Sequence, residues 1–300
     1  MKSRLLALSI AAGLSVWAVA CGGGNVTKSD GGTGGTTGGT TGGSSGDGGS
    51  SGSNGTAASY DGLVQQGKLF APLDGGAPTS SFFATATFYP NIGMGGANCG
   101  GTASGTCCYA PPGGGGGTAP IGAGTLTFLD GTSTLGTLPF DPTNGYVNLA
   151  TLTWNGGDSL SVKASGDTVG AFTATAPAPA DFAGLSANQA DAGQVPLSSG
   201  AISVSVSQGL IVLWTAGSAQ SLLVTLTPSA AQANEGSITC SPNDADGTVS
   251  IDQSLLANYQ PGDTGTIEVD RINAGSGSPA NGSVVYQVST GVQASVTFTP

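Results

Sequence analysis

Ser283-Val284-Val285-Tyr286-Gln287-Val288-Ser289-Thr290-Gly291-Val292-Gln293-Ala294-Ser295-Val296-Thr297-Phe298 alternates apolar and polar side chains with a period of two. A strand with one buried face puts Val284, Tyr286 and Val288 on one side and their polar neighbours on the other. The same reading holds for Val292, Ala294, Val296 and Phe298, with Thr290-Gly291 as the turn between two paired strands. Working outward, Leu160, Val162 and Ala164 alternate with polar residues, as do Ile202, Val204 and Val206, and Leu222, Val224 and Leu226. Residues 83–89 and 146–154 read as further strands with aromatic and β-branched content. Leu210-Ile211-Val212-Leu213-Trp214 is continuously apolar, which predicts a central strand covered on both faces.

The breaks between these runs are turn chemistry: Asn144-Gly145, Asn155-Gly156-Gly157 and Ser165-Gly166-Asp167. One short helix is expected over 253–259, capped by Asp252 and stopped by Pro261-Gly262. Short strands with no helical period between them predict an all-β fold, an antiparallel β-sandwich of Ig-like or jelly-roll type. Residues 59–300 are read as one such domain. Pro177-Ala178-Pro179 marks where two smaller sandwiches would meet if the chain divided.

Composition narrows the chemistry. The 300-residue chain has 6 basic and 17 acidic residues, a net charge of −11 and a mean hydropathy of +0.13. Nucleic-acid binding is excluded, because displacing phosphate counterions requires Lys and Arg. Acidity equally disfavours a peripheral grip on anionic lipid. There is no histidine. That removes Ser-His-Asp and Cys-His nucleophiles and the usual zinc hydrolase sites. No cofactor is expected.

Cys99, Cys107, Cys108 and Cys240 are an even set in a chain that reads as exported, which predicts two disulfides. Adjacent cysteines are too close for relaxed bridge geometry. Two pairings remain: 99–107 with 108–240, or 99–108 with 107–240. Each ties a local Gly-rich loop to a distant segment, and the bridge to Cys240 favours one domain over two.

The N-terminus sets the expected location. Lys2 and Arg4 precede an apolar run from Leu5 to Val19, which ends in Ala18-Val19-Ala20-Cys21. The run is shorter than the about 20 residues a membrane helix needs, and it matches a secretory signal over 1–20. With cysteine next, the segment resembles a bacterial lipobox, with Ala18 where that motif usually has Leu. The resemblance implies cleavage before Cys21, acylation of its sulfur and amine, and, with Gly22 rather than Asp following, the outer membrane of a Gram-negative bacterium. Residues 21–58 are nearly all Gly, Ser, Thr and Asn. Such a segment buries too little to offset its ordering entropy and is expected to be a disordered tether. Its root-mean-square reach is roughly 35 Å as a flexible coil.

The stretch from Trp154-Asn155-Gly156-Gly157-Asp158 through Leu160, Val162, Gly166 and Val169 to Phe172, with Leu213-Trp214-Thr215, Ile238-Thr239-Cys240, Asp246-Gly247 and Leu255-Leu256, resembles a group of β-sandwich outer-membrane lipoproteins of Gram-negative bacteria. The likeness covers about half the chain and is one of pattern. It implies the fold and the anchor, and no active site.

Three candidate sites stand out. Asn243-Asp244-Ala245-Asp246-Gly247 resembles part of a calcium loop, with Asp244 and Asp246 as ligands, but Pro242 and Gln253 fall where such a loop needs carboxylates. A tight Asp-Gly turn is the reading adopted. Asp263, Glu268, Asp270 and Arg271 form the densest charge cluster. Glu268 and Asp270, two apart on a strand, are expected to share a solvated face at a sheet edge. Trp154 and Trp214 would suit a sugar-stacking platform, but both lie in apolar strand patterns and are assigned to the core. The Gly-rich loops at 98–106 and 110–119 lack the Lys and the strand-to-helix context of a phosphate loop. These observations predict a non-catalytic, lipid-anchored envelope protein that binds a protein or polysaccharide partner. The alternatives are a carboxylate-based glycoside hydrolase or carbohydrate-binding module, and a structural coat component.

Overall fold

The computed structural model describes residues 59–71, 79–90, 101–112, 119–146, 152–189, 193–229 and 236–300. In chain order the strands begin with β1 (Tyr60–Ala71), β2 (Thr79–Pro90), β3 (Ala103–Ser104), β4 (Cys107–Ala110), β5 (Leu126–Asp130) and β6 (Ser133–Leu138). They continue with β7 (Ser159–Ala164), β8 (Phe172–Pro177), β9 (Ser186–Gln189), β10 (Gly193–Pro196), β11 (Ala201–Ser205) and β12 (Leu210–Leu213). β13 (Ser221–Pro228), β14 (Ser237–Cys240), β15 (Thr248–Ile251), helix α1 (Gln253–Leu256), β16 (Thr264–Gly277) and β17 (Gly282–Thr299) complete the fold.

One long sheet runs β2-β1-β17-β16-β13-β14-β4-β3, with β11 also paired to β17. Two four-stranded sheets accompany it, β6-β5-β7-β8 and β10-β9-β12-β15. The spine is β17. It is antiparallel to β16 from Gly277↔Val284 to Thr264↔Thr297. Its other edge is parallel to β1 over the first part of its length and to β11 at its end. The expected sandwich is therefore present, but its long sheet is mixed rather than purely antiparallel.

Thr290-Gly291 is not a turn. The two alternating runs are one 18-residue strand, and the glycine serves a close approach instead. A Cβ at Gly291 would come 2.1 Å from Oδ1 of Asp270, its register partner on β16. A second departure concerns β12. It is central in its sheet as expected, yet only one face is covered, and Ile211 is 39% exposed. A third is the expected strand at 146–154. Tyr146 and residues 152–154 are not in a strand, and 147–151 lie outside the described residues. The helix is shorter than expected, but Asp252 caps it, accepting from the Ser254 amide at 2.8 Å.

Burial forms two cores under the one long sheet. The first takes Val64 from β1, Ala84, Ala86 and Phe88 from β2, and Val284, Tyr286 and Val288 from β17, with Leu160, Val162 and Phe172 opposite. The second takes Ala294, Val296 and Phe298 from the later half of β17, with Ile267, Val269, Leu222, Val224 and Leu226, and Leu210, Val212 and Ile251 opposite. All six β17 residues are even-numbered and share one face, as the alternation required. β8 lies so close to β16 that a Cβ at Gly275 would meet the Thr175 carbonyl oxygen at 1.9 Å.

Candidate functional site at the waist between the cores

Between the two cores the inner face of the long sheet turns polar. Lys68, Thr290 and Arg271 are aligned across β1, β17 and β16. Gln66 and Asn273 flank Val288 in the next row. All five polar residues are buried. Burying such groups unpaired would cost several kcal/mol, and partners account for Lys68, Thr290, Arg271 and Asn273, while Gln66 accepts from Tyr286 and leaves its Nε2 without a partner among the described residues.

Those partners lie mainly along one segment of backbone. The chain passes from β8 to β9 through Ala178-Pro179-Ala180-Asp181-Phe182, crossing over the waist rather than lying in a sheet. Its carbonyls therefore need side-chain or loop donors. Asn273 Nδ2 donates to the Pro177 carbonyl at 3.0 Å, the Gly157 amide to Ala178 at 2.9 Å, and Thr290 Oγ1 to Pro179 at 3.4 Å. Arg271 Nη1 donates to Asp181 at 3.1 Å and to Ala180 at 3.4 Å. Lys68 Nζ reaches both Asp181 carboxylate oxygens, at 2.9 and 3.0 Å. The prolines at 177 and 179 bring no N–H to satisfy, and the Ala178 amide donates to Asp158 O at 2.8 Å.

Arg271 is the hub. Its Nε donates to Asp244 Oδ1 at 3.0 Å and its Nη2 to the Thr215 carbonyl at 2.5 Å. Its guanidinium lies 4.4 Å from the Phe182 ring centroid. Asp244 is 1% exposed; its Oδ2 accepts from the Ala219 amide, and its carbonyl accepts from Trp214 Nε1. This buried pair is fully hydrogen-bonded, the condition under which burying two charges is tolerable.

A cleft of about 420 Å³ opens beside the waist toward β2. Phe70, Phe82 and Trp154 supply its aromatic wall, and Lys68, Asp158 and Asp181 its polar side. Trp154 is buried edge-on to Phe82, with ring centroids 4.6 Å apart. Asp158 accepts from the Asn155 amide at 2.7 Å. Across the linker a groove of about 480 Å³ is lined by Phe182, Leu185, Gln194 and Val292.

The sequence-derived candidates distribute as follows. Cys107 and Cys240 are bonded, as direct cross-strand partners of β4 and β14. Of the two pairings left open, this is the one with 107–240. Cys108 is disulfide-bonded as well, while its expected partner Cys99 lies outside the described residues, as do Cys21 and the glycine run 113–117. Asp244 and Asp246 do not converge: the first is buried against Arg271, the second exposed at a turn that ends in Gly247 at φ +67°. Among the described residues no group of three or more acidic or cysteine side chains is placed to hold a metal. Asp263 closes a turn, accepting from the Gln260 amide at 2.6 Å. Trp154 and Trp214 sit in different cores.

The expectation of a solvated edge for Glu268 and Asp270 is corrected. β16 lies between β13 and β17, so the pair is in the middle of the long sheet, on its outer face. The two side chains are hydrogen-bonded to each other. Burial, and then the neighbouring Glu268 charge, pushes Asp270 well above the usual carboxylate range. Burial also raises Glu268, while its hydrogen bond with Asp270 opposes the shift. Two buried tyrosines are raised too. Tyr146, whose hydroxyl accepts from the Ala123 amide and donates to the Gly124 carbonyl, is pushed up to about 12. Tyr286, which donates to Gln66 Oε1, is raised by burial.

Lys68, Asp181, Asn273 and Thr290 escaped the sequence reading. Their signal was there: each of Lys68, Thr290 and Arg271 puts a polar group into an otherwise apolar strand face, the mark of a strand that faces backbone rather than another core.

No protein-family profile matches this chain, and no characterised protein matches it in sequence. Among solved structures it is similar to the FN1-FN3 domains of chicken CNTN1, at 12% identity over 78% of this chain and 69% of that one. The TM-score is 0.20, too low to describe a shared fold.

Proposed function

We propose that this chain is a lipid-anchored protein of the Gram-negative outer membrane, whose β body is a non-catalytic binding module held away from the bilayer by its tether. The observation that carries this reading is the order at the N-terminus: basic start, short apolar run, Ala18-Val19-Ala20, Cys21, then a long Gly/Ser/Thr segment. The body supports it in a second way. Its buried ionisable groups at the waist are spent on holding the linker and each other. Mass spectrometry of the mature N-terminus tests the anchor: a triacylated Cys21 is expected, and an unmodified peptide running through residue 21 overturns it. Protease treatment of intact cells then reports the leaflet, since release of the body places it outside.

Saccharide binding is the second reading, and the waist cleft favours it. An aromatic wall beside carboxylates is the usual chemistry for gripping a sugar ring. Of the three carboxylates lining the cleft, Asp130, Asp158 and Asp181, two are already engaged, Asp181 by Lys68 and Asp158 by a backbone amide. The Glu268–Asp270 pair is in direct hydrogen-bond contact, closer than the about 5 Å or more that glycoside hydrolysis needs between its two acids. The cleft therefore fits binding better than cleavage. Titration with envelope polysaccharide fragments tests it, with Phe70→Ala expected to abolish any binding seen.

A further inference from the structure

Negative charge at the waist cleft exceeds what the cleft itself neutralises. Asp130, Asp158 and Asp181 line it, and Lys68 is the one cation among its described lining residues. Lys68 Nζ holds both oxygens of Asp181, so that pair is neutral as a unit. Asp158 accepts a backbone amide, which leaves its charge in place. Asp130 has no hydrogen-bond or ion-pair partner among the described residues. β5 pairs with β7 in the register Asp130↔Leu160, so Asp130 and Asp158 stand at the same end of that sheet. Two uncompensated carboxylates therefore share one cleft with the rings of Phe70 and Phe82 on the long sheet.

The cleft already shows how it holds an ammonium group. Lys68 Nζ lies 4.6 Å from the Phe70 ring centroid while it pairs with Asp181. A ring face beside a carboxylate is the chemistry that grips organic ammonium ions. A metal ion suits these charges poorly, since among the described residues no three acidic groups converge to hold one. A neutral sugar would leave both charges unanswered. A bare polyamine would leave a different group unanswered. Trp154 lines the cleft at 4% exposure, and its Nε1 finds no hydrogen-bond acceptor among the described residues. Burying a donor without an acceptor is costly, and a ligand oxygen would remove that cost. An ammonium for the carboxylates, an oxygen for the indole and an apolar ring face for the phenylalanines occur together in one class of molecule.

We infer that the waist cleft takes an amino sugar with its amine unacetylated, the ammonium held by Asp130 and Asp158 and the sugar ring laid against Phe70 and Phe82. The inference rests on the saccharide reading of this cleft and adds the feature that selects among sugars. The cleft's volume of about 420 Å³ lies within the range of small-molecule sites, about 300–1,000 Å³.

The test uses the full chain carrying Cys21→Ser, which keeps it free of lipid. Calorimetric titration compares a tetramer of β-linked glucosamine with the same tetramer fully N-acetylated. The free-amine form is expected to bind about tenfold tighter. Asp130→Asn with Asp158→Asn is expected to erase that preference and leave the acetylated tetramer's affinity unchanged. Asparagine at 158 keeps an acceptor for the Asn155 amide, and unchanged circular dichroism confirms that the fold survives. Asp130→Asn alone breaks no bond among the described residues and is expected to weaken the free-amine tetramer about threefold. Tetralysine brings comparable charge without a sugar ring and is expected to bind about tenfold more weakly than the free-amine tetramer. Equal affinity for the two sugar tetramers overturns the inference and leaves the saccharide reading standing. Failure of both to bind overturns the inference together with that reading. A preference that survives Asp130→Asn and the double substitution overturns it, and so does tetralysine binding as tightly as the sugar.

Discussion

The first core packs rings against small residues: Phe88, Phe128, Tyr146, Trp154 and Phe172 lie among Ala84, Ala86, Ala123, Ala164, Ala174 and Ala176. The second is mainly aliphatic, filled by Leu, Ile and Val from β11 to β16 around Trp214 and the stacked rings of Tyr259 and Phe298, plugged by Leu255 and Leu256 of α1 and closed by the Cys107–Cys240 bridge. The contrast shows two ways of filling the space under one sheet. In the first, ring volume is matched by missing side chains. Gly62 lies where a Cβ would come 2.3 Å from the Phe88 ring, and Gly275 lets β8 lie on β16. Leucines and valines, among them Leu126, Leu152, Leu160 and Val162, fill the space that the rings and alanines leave. In the second, branched chains of similar size interdigitate, and a covalent link fastens the short strands β4 and β14. Among the described residues the buried apolar side chains fall into two separate clusters; β16 and β17 run through both, and at the waist hydrogen bonds hold the linker over them.

The largest expected effect breaks the junction itself. Arg271→Ala leaves the Asp244 carboxylate buried without its partner and strips the Ala180, Asp181 and Thr215 carbonyls of a donor. Loss of about 3–5 kcal/mol is expected. Trp154 and Trp214 report separately on the two cores, so mature chains carrying Trp214→Phe or Trp154→Phe isolate each signal. In urea the two midpoints are expected to coincide with Arg271 present and to separate without it. Coincident midpoints in the variant would show that the cores are coupled by something other than the guanidinium.

Phe128→Ala, at a fully buried ring, is expected to cost about 3–5 kcal/mol, because the ring is the larger volume removed. Leu226→Ala in the aliphatic core is expected to cost about 2–4 kcal/mol, and equal losses at the two sites would cancel the distinction drawn between the cores. Removing the bridge with Cys107→Ala and Cys240→Ala is expected to cost about 2–4 kcal/mol and to lower the Trp214 midpoint before that of Trp154. Gly291→Ala forces the Asp270 carboxylate aside and is expected to cost about 1–3 kcal/mol.

The smallest effect concerns pH. Glu268 and Asp270 are raised on folding, so the folded chain holds more protons than the unfolded one above the ordinary carboxylate values of 4.5 and 3.8. The pair's contribution to stability is therefore full in acid and declines as pH rises through the raised values, the reverse of an ion-paired carboxylate. Asp270→Asn keeps a donor toward Glu268 and removes one buried charge. A melting temperature that falls less between acid and neutral pH than in the parent is expected from calorimetry.

How much of this was legible follows from what each residue faces. Alternation found the apolar side of β7, β11, β13 and β17 because those strands face a core on one side and not the other. It split β17 in two because Gly291 looks like a turn in one dimension; only the carboxylate of Asp270, 21 residues earlier in the chain, explains it. The continuous run at 210–214 suggested two covered faces, yet the sheet it belongs to has only one neighbour, and Ile211 was left out. Asp244 and Arg271 were each noticed, in separate clusters, because nothing local says that 27 residues of chain bring them together. The waist was the least legible part, since its polar side chains answer to the backbone of a linker whose own sequence, Pro177-Ala178-Pro179-Ala180, shows no chemistry at all. Cys21 and the segment up to residue 58 were legible only as motif and composition.

β1 and β17 run side by side in the same direction, with partners from Tyr60↔Gly282 to Phe70↔Val292. The chain enters that pair at Tyr60 and leaves β17 at Thr299, at opposite ends of the sheet. Tension applied between those two points acts along the strands, so the rungs between them are loaded together in shear instead of being peeled open in succession. A body tugged by whatever precedes residue 60 would resist as a clamp.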